Sequence, residues 1–460
     1  MADLNATPNA ALLDAEELLQ HYAAKTLTPL EALQAILERI ARQNPEINAF
    51  AVLNPGALQA ARDSTARWQA GTPMGALDGV PVTIKDLIDI AGLPTRRGSK
   101  LTDPSPALAD APTVAALKKA GAIIIGKTTT TEFGWKSPGD CPHTGITRNP
   151  WHMDHTPGGS SSGAGAAAAA GFGPLHIGTD AGGSIRIPAA WCGVVGLKPT
   201  FGRVPQWPLG AFGNVAVAGP ITRTVRDAAL MLNTLARFDA SDPFCLPDDP
   251  RDWRDGIEDG VAGMRIGILE TPGFAAPVDD DGLTALETTK SLLVKAGASV
   301  MIANVQLPDP SSIFSKIWGA ALARLVGTFP PSQQHFLDTG LLEVAAKFAN
   351  VTALDMIEAE ALRLTTANAM AALHRDFDAV ICPTVPTCAP LADAKLQDPV
   401  TALWRDWAPW TFLFNLTRQP AISIPVGVNA ANLPCSVQIA AALYRDDIVL
   451  RVARTIERAL

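Results

Sequence analysis

The stretch from Pro157 to Pro188 constrains this chain more than any other. Two glycine-framed serine clusters, Gly158-Gly159-Ser160-Ser161-Ser162-Gly163 and Thr179-Asp180-Ala181-Gly182-Gly183-Ser184, flank a run of small residues from Ala164 to Ala170. Side chains this small suit a helix packed very closely against its neighbours. Glycine beside serine also lets backbone N–H groups and a hydroxyl converge on one small volume, because no Cβ blocks the approach. That is the geometry needed to attack a carbonyl and hold the resulting oxyanion. A third piece lies upstream, where the apolar run Val80-Pro81-Val82-Thr83-Ile84 ends in Lys85-Asp86. A lysine at the end of a buried strand loses its charge by desolvation and becomes a base. Asp86 could instead pair with Lys85 and keep it charged.

Other chemistry fits the same residues less well. A glycine-serine turn also suits a helix N-cap or a flexible loop. A phosphate loop is a weak reading, because no Gly-Lys-Ser/Thr follows and the G-x-G-x-x-G order is absent. Ser184 lacks the surrounding Gly-x-Ser-x-Gly of an α/β-hydrolase elbow. His176 lies on a β-rich run and reads as a satisfied core histidine. His143, His152 and His155 show no H-x-H or H-E-x-x-H spacing, so neither a metal nor a cofactor is expected. The residues point to a serine hydrolase that uses Ser-Ser-Lys in place of Ser-His-Asp.

The chain has 460 residues, of which 47% are apolar and 18% charged, enough for a large core and too few charges for disorder. Its net charge of −8 comes with scattered basic residues, which excludes a nucleic-acid footprint. The opening Met1-Ala2-Asp3-Leu4-Asn5 lacks the basic and apolar regions of a signal peptide. The run Ala166 to Ala170 is far shorter than the ~20 residues a bilayer span needs. None of the six cysteines is paired as C-x-x-C. Cys382 and Cys388 leave a disulfide open, but a reduced, cytoplasmic chain is expected.

Helices dominate residues 1–75. Thr28-Pro29-Leu30-Glu31 supplies an N-cap, a proline at the first helical position and an acidic first turn. Leu30, Leu33, Ile36, Leu37 and Ile40 then form an apolar stripe at helical spacing. A second helix runs to Trp68. Residues 76–235 alternate strands, at 80–84, 122–126 and 175–179, with helices at 112–121 and after Gly163. Residues 236–460 begin with an exposed connection from Asp239 to Asp255. They add strands at 265–269, 299–302, 379–382 and 421–425, and a wholly helical stretch from about Ser311 to His374 that is expected to contribute to the substrate pocket. This β-α-β order predicts one α/β unit, a central sheet with helices on both faces.

With these motifs in place, the chain resembles the amidase signature family. The resemblance rests on Gly79 to Asp86, Pro157 to Gly163, and Gly178 to Pro188. Thr147-Arg148-Asn149-Pro150, Cys192 to Thr200, and Gln419 to Pro425 extend it to nearly the whole chain. It implies a large mixed, twisted sheet, with Ser184 as nucleophile, Ser160 in a cis peptide as proton relay, and Lys85 as base. It implies an oxyanion hole from the N–H groups of Ala181, Gly182, Gly183 and Ser184, and an acyl pocket lined by Gly134. Ser161, Thr179, Asp180 and Arg186 would support that loop. The sequence departs from the family pattern at Ser162, at Arg418 and across Leu433 to Gln438. Trp135, Cys141, Trp207 and Phe212 are candidate pocket walls. Trp404, Trp407 and Trp410, spaced by three, are candidates for the pocket mouth. An apolar or aryl amide is the expected small-molecule partner, and a homodimer is left open. The competing readings are the catalytic component of a tRNA-dependent amidotransferase and a non-catalytic binding protein. The latter would have lost Lys85, Ser160 or Ser184, and all three are present.

Overall fold

The computed structural model describes residues 9–270, 274, 278–393 and 408–460. Its strands are β1 (Phe50–Leu53), β2 (Pro81–Lys85), β3 (Ile123–Thr128), β4 (Asp140–Cys141), β5 (Gly145–Ile146), β6 (Leu175–Asp180) and β7 (Val195–Lys198). They continue as β8 (Val217–Thr222), β9 (Arg265–Ile268), β10 (Ser299–Ile302), β11 (Ala379–Pro383), β12 (Ala421–Val428) and β13 (Pro434–Ala441). All but the β4–β5 hairpin join one eleven-stranded sheet in the order β1-β3-β2-β6-β8-β7-β12-β13-β11-β9-β10. The sheet is mixed. β3, β2 and β6 run parallel on one side, β11, β9 and β10 on the other, and antiparallel pairs join them through the middle.

The helices are α1 (Ala15–Ala23), α2 (Pro29–Ile47), α3 (Ala57–Ala70), α4 (Pro112–Lys119), α5 (Ser162–Ala169), α6 (Arg186–Cys192) and α7 (Val225–Leu235). They continue as α8 (Asp280–Lys295), α9 (Ser311–Val326), α10 (Thr339–Lys347), α11 (Ala353–Leu373), α12 (Phe412–Leu416) and α13 (Asp446–Ala459). α2 starts where its sequence requires, with Thr28 and Glu31 forming a reciprocal capping box ahead of Pro29.

Alternation along the strands assigns their residues to two faces. Ile124, Ile381, Ile422 and Ile424 pack with Leu232, Leu286 and Val449 from α7, α8 and α13. Their neighbours Ile123 and Ile125 turn the other way, towards Ala166 and Ala167 of α5. The small residues of α5 have a steric cause. A Cβ on Gly163 would lie 2.2 Å from the Ala49 carbonyl oxygen and 2.4 Å from the Thr129 amide nitrogen. Only glycine lets this helix sit so close to the backbone beside it.

The expected strands are all present, and β1, β7, β8, β13 and the short β4–β5 hairpin go beyond them. β8 reads Val-Ala-Gly-Pro-Ile-Thr and β7 reads Val-Gly-Leu-Lys, both wholly buried. Burial on both faces removes the alternation that marks a strand, and glycine and proline argue against one locally. The helical stretch after Ser311 is broken by Pro330-Pro331 and a short 3-10 turn at Gln334–Phe336. The segment from Asp239 to Asp255 is irregular and tied down, with Trp253 buried between the guanidinium groups of Arg203 and Arg251. No helix among the described residues is long and apolar enough to cross a membrane.

Candidate active site

Lys85 is the last residue of β2, a strand buried along its whole length. Its Nζ lies 2.7 Å from Ser160 Oγ, 2.9 Å from Thr179 Oγ1 and 3.3 Å from the Thr179 carbonyl oxygen. Asp86 points away from it and pairs with Lys127 at 2.8 Å, both side chains being buried. The ambiguity between a base and an ion pair is thereby resolved, because the anion next in sequence is taken by another lysine. Burial pushes the Lys85 pKa well below the ordinary lysine value, and the charge of Asp180 opposes this only in part.

The two serine clusters are fastened to each other. The Gly159–Ser160 peptide bond is cis. The Ser161 amide donates to the Ser184 carbonyl at 3.2 Å, and Ser161 Oγ bonds both the carbonyl and the amide of Thr179. Ser184 closes the loop between β6 and α6, and Asp180 organises that loop from below. Its carboxylate accepts the N–H groups of Gly183 at 2.7 Å and Ile185 at 3.2 Å. Arg186 grips the same carboxylate with two bonds of 3.0 Å, and Asn415 adds a third. Burial alone would raise the Asp180 carboxyl, but the Arg186 guanidinium overrides it and holds the pKa at about 2. Arg186 also donates to the Thr411 carbonyl, Gln438 Oε1 and Asn415 Oδ1. A fully buried network therefore fixes the loop carrying Ser184.

Of the four N–H groups expected to form the oxyanion hole, that of Gly183 donates to Asp180 Oδ1 at 2.7 Å. Among the described residues nothing accepts from the N–H groups of Ala181, Gly182 and Ser184. Those three are the available donors.

His176 is fully buried, with Nε2 against the Gly173 carbonyl and Nδ1 against Thr83 Oγ1. Burial pushes its pKa down to about 3, so it is a neutral core histidine. Ser160, Thr179, Ala181 and Ser184 instead face a cavity of about 360 Å³.

The sequence matches the family model described as Amidase over residues 31–450. The chain belongs to the amidase signature family. An acylamidase from Rhodococcus erythropolis is 36% identical over 464 residues, covering 98% of this chain and 96% of the relative. A glutamyl-tRNA(Gln) amidotransferase subunit from Pseudomonas putida (strain GB-1) is 33% identical over 469 residues, covering 95% of each chain. Among solved structures, a bacterial aryl acylamidase of the amidase signature family superposes with a TM-score of 0.89 at 27% identity. That match covers 97% of this chain and 96% of the other. The protein is an amidase, a hydrolase of amide C–N bonds.

The cavity of this amidase differs in part from the walls expected of it. Trp207, Phe212 and Gly134 line it. Trp135 and Cys141 do not, Trp135 being buried in the core beyond and Cys141 bonded to Thr144. Phe212 is held flat against Trp318 of α9, with ring centroids 3.5 Å apart. Leu87 and Ile88, just past Lys85, are lining residues that sequence reasoning passed over. Their signal was position, since residues following the carboxyl end of a sheet strand commonly face a ligand. The mouth also carries Asp89 and Arg97, paired with each other at 3.6 Å. Trp404 and Trp407 lie outside the described residues, and Trp410 is buried and lines no part of the cavity. Arg418 stacks its guanidinium over Phe201 at 4.3 Å, and Ser162 is buried as the first residue of α5. Neither touches the cavity.

Proposed function

We propose that this amidase acts alone on small apolar or aryl carboxylic amides through an acyl-enzyme on Ser184. Ser184 Oγ attacks the amide carbonyl carbon as its proton passes to Ser160 Oγ, whose own proton passes to the neutral amine of Lys85. The N–H groups of Ala181, Gly182 and Ser184 receive the oxyanion. The proton returns through Ser160 to the leaving nitrogen, the C–N bond breaks, and ammonia or an amine departs. Water then attacks the acyl carbon by the same relay and releases the acid. One observation carries this reading: a fully buried Lys85 with no anion partner among the described residues sits 2.7 Å from Ser160 Oγ, and Ser160 shares a cavity with Ser184.

The substrate class is argued from the walls. Leu87, Ile88, Phe133, Leu209 and Phe212 surround the serines with apolar surface, and the Asp89–Arg97 pair neutralises itself at the mouth. A glutamine, with its free amino and carboxylate groups, would find the Arg97 charge already taken by Asp89, with Arg324 the other lining cation. The reading needs no second protein, is met equally by a monomer and a homodimer, and suits a reducing cytoplasm in which the six cysteines form no disulfide.

The test is release of ammonia or amine from a panel of aliphatic, aryl, amino-acid and glutamine amides, with Ser184→Ala run beside the wild type. Turnover of anilides or aliphatic amides that disappears in the variant supports the proposal. Full activity in Ser184→Ala would sink the assignment of the nucleophile. Activity confined to glutamine would move the protein to the amidotransferase class.

A further inference from the structure

Away from the cavity, three chain-distant segments bring soft and acidic ligands together. Cys388 follows β11, Cys435 lies in β13, and Asp281 sits in the first turn of α8. Cys388 Sγ is 3.6 Å from Cys435 Sγ and 3.8 Å from Asp281 Oδ2. All three ligand atoms lie within 4.8 Å of one another, each on a half-buried residue. Among the described residues this is the one such grouping of three histidine, cysteine or acidic side chains. None of the three lines the active-site cavity.

The spacing matches a particular coordination. With Zn–S near 2.3 Å and Zn–O near 2.0 Å, a tetrahedral ion sets its ligands about 3.8 Å apart for S···S and about 3.5 Å for S···O. A disulfide would require the sulfurs to close to about 2.05 Å. The acid is also prepared for the task. Asn429 Nδ2 donates to Asp281 Oδ2 at 2.9 Å, orienting the carboxylate as outer-shell partners of metal ligands do. Asp279, beside it, is occupied as the N-cap of α8, and its own amide donates to the Pro386 carbonyl at 2.9 Å. That bond ties the helix start to the segment carrying Cys388.

We propose that Asp281, Cys388 and Cys435 form a three-ligand site for a zinc-class divalent cation, its fourth position open to water. Each thiol releases its proton to solvent on binding, and two thiolates with one carboxylate suit a borderline-soft ion better than magnesium or calcium. The site is a staple rather than part of the reaction. It joins the start of α8 and β13 to the segment whose Thr387 carbonyl accepts from Trp191 of α6 and whose Ala389 carbonyl meets His155.

Fully reduced, chelator-treated, full-length protein is titrated with Co(II) and then Zn(II). The expected result is one ion per chain. Tetrahedral cobalt bands should appear in the visible, with a sulfur-to-metal charge-transfer band that zinc displaces. The unfolding midpoint should rise with zinc. Cys388→Ser and Cys435→Ser should each lose the charge-transfer band and the zinc-dependent rise in midpoint while keeping amidase activity. If a variant fails to fold, the wild-type cobalt spectrum decides alone. Absence of the charge-transfer band in reduced wild type overturns the proposal, as does a band that survives both variants. Loss of two free thiols on air exposure with no metal taken up would show a disulfide pair instead and equally overturn it.

Discussion

Lys85 shows what separates a chemical residue from its neighbours. Lys127, in the adjacent strand, is also buried, yet it keeps Asp86 at 2.8 Å and remains half of an ion pair. Among the described residues Lys85 has only hydroxyl and carbonyl partners. The sequence placed Lys85 at a buried strand end but left its pairing with Asp86 open, because alternation along a strand separates consecutive side chains only once the strand is known to continue. The folded pKa lies below the ordinary value of 10.5, so between the two the unfolded chain holds one more proton than the native one. Stability must therefore rise with pH through that window, by up to about 1.4 kcal/mol per pH unit. The unfolding midpoint of wild type should gain on that of Lys85→Met as pH increases towards 10.5. Lys198, whose pKa burial lowers to about 7, contributes equally to both proteins and cancels. The acid limb of the pH–rate profile should belong to the same group, and Lys85→Met should have no measurable turnover. Parallel stability curves would mean that Lys85 stays protonated in the fold.

At the scale of elements, the β6–α6 turn holds the serine, and it is built to resist movement. Gly183 adopts φ +130°, and a Cβ there would fall 2.4 Å from Thr411 Oγ1, an atom already donating to the Gly182 carbonyl. Gly183→Ala should lower both stability and kcat, because side chain and backbone are refused together. Arg186→Met should be worse for the fold. It strands the buried Asp180 carboxylate, at a cost of about 3–5 kcal/mol in urea denaturation. Arg186→Lys keeps the charge but loses the two-pronged grip, and should recover part of the stability and little of the activity. The Gly-Gly-Ser sequence made this turn visible as a candidate oxyanion hole. It did not reveal that Asp180 takes the Gly183 N–H, because Asn415, which bonds Asp180, and Thr411 and Gln438, which hold its partner Arg186, come from the distant C-terminal part of the chain. The middle strands β7 and β8 were hidden for a related reason, being glycine-bearing segments that become strands only between buried neighbours.

The cavity belongs to the whole molecule. Its floor comes from the residues just past β2, Leu87 and Ile88, and from the end of β6 with the turn that follows, one wall from residues 206–212, and another from Arg324 and Leu325 of α9. The β6 part of the floor was legible because its residues are clustered in sequence. The α9 wall was legible only coarsely, as a contribution from the helical region after Ser311, since only tertiary packing decides which of its residues come over Ser184. Trp207 and Phe212 were equivalent as candidate walls, and the structure separates them. Phe212 is 6% exposed and stacked on Trp318, whereas Trp207 is 50% exposed at the cavity edge. Phe212→Ala opens a hole in a packed cluster and should cost about 3–5 kcal/mol of stability, with activity falling for every substrate. Trp207→Ala removes little buried area and should leave the unfolding midpoint nearly unchanged. Its effect should depend on the substrate. An aromatic contact contributes about 0.5–1.5 kcal/mol beyond simple burial. That amounts to roughly a twofold to tenfold loss in kcat/KM for an anilide. A short aliphatic amide, too small to reach the edge, should be hydrolysed at nearly the wild-type rate. Equal losses on both substrates would instead assign Trp207 to holding the 206–212 loop in place, leaving aryl selectivity to Phe133 and Phe212.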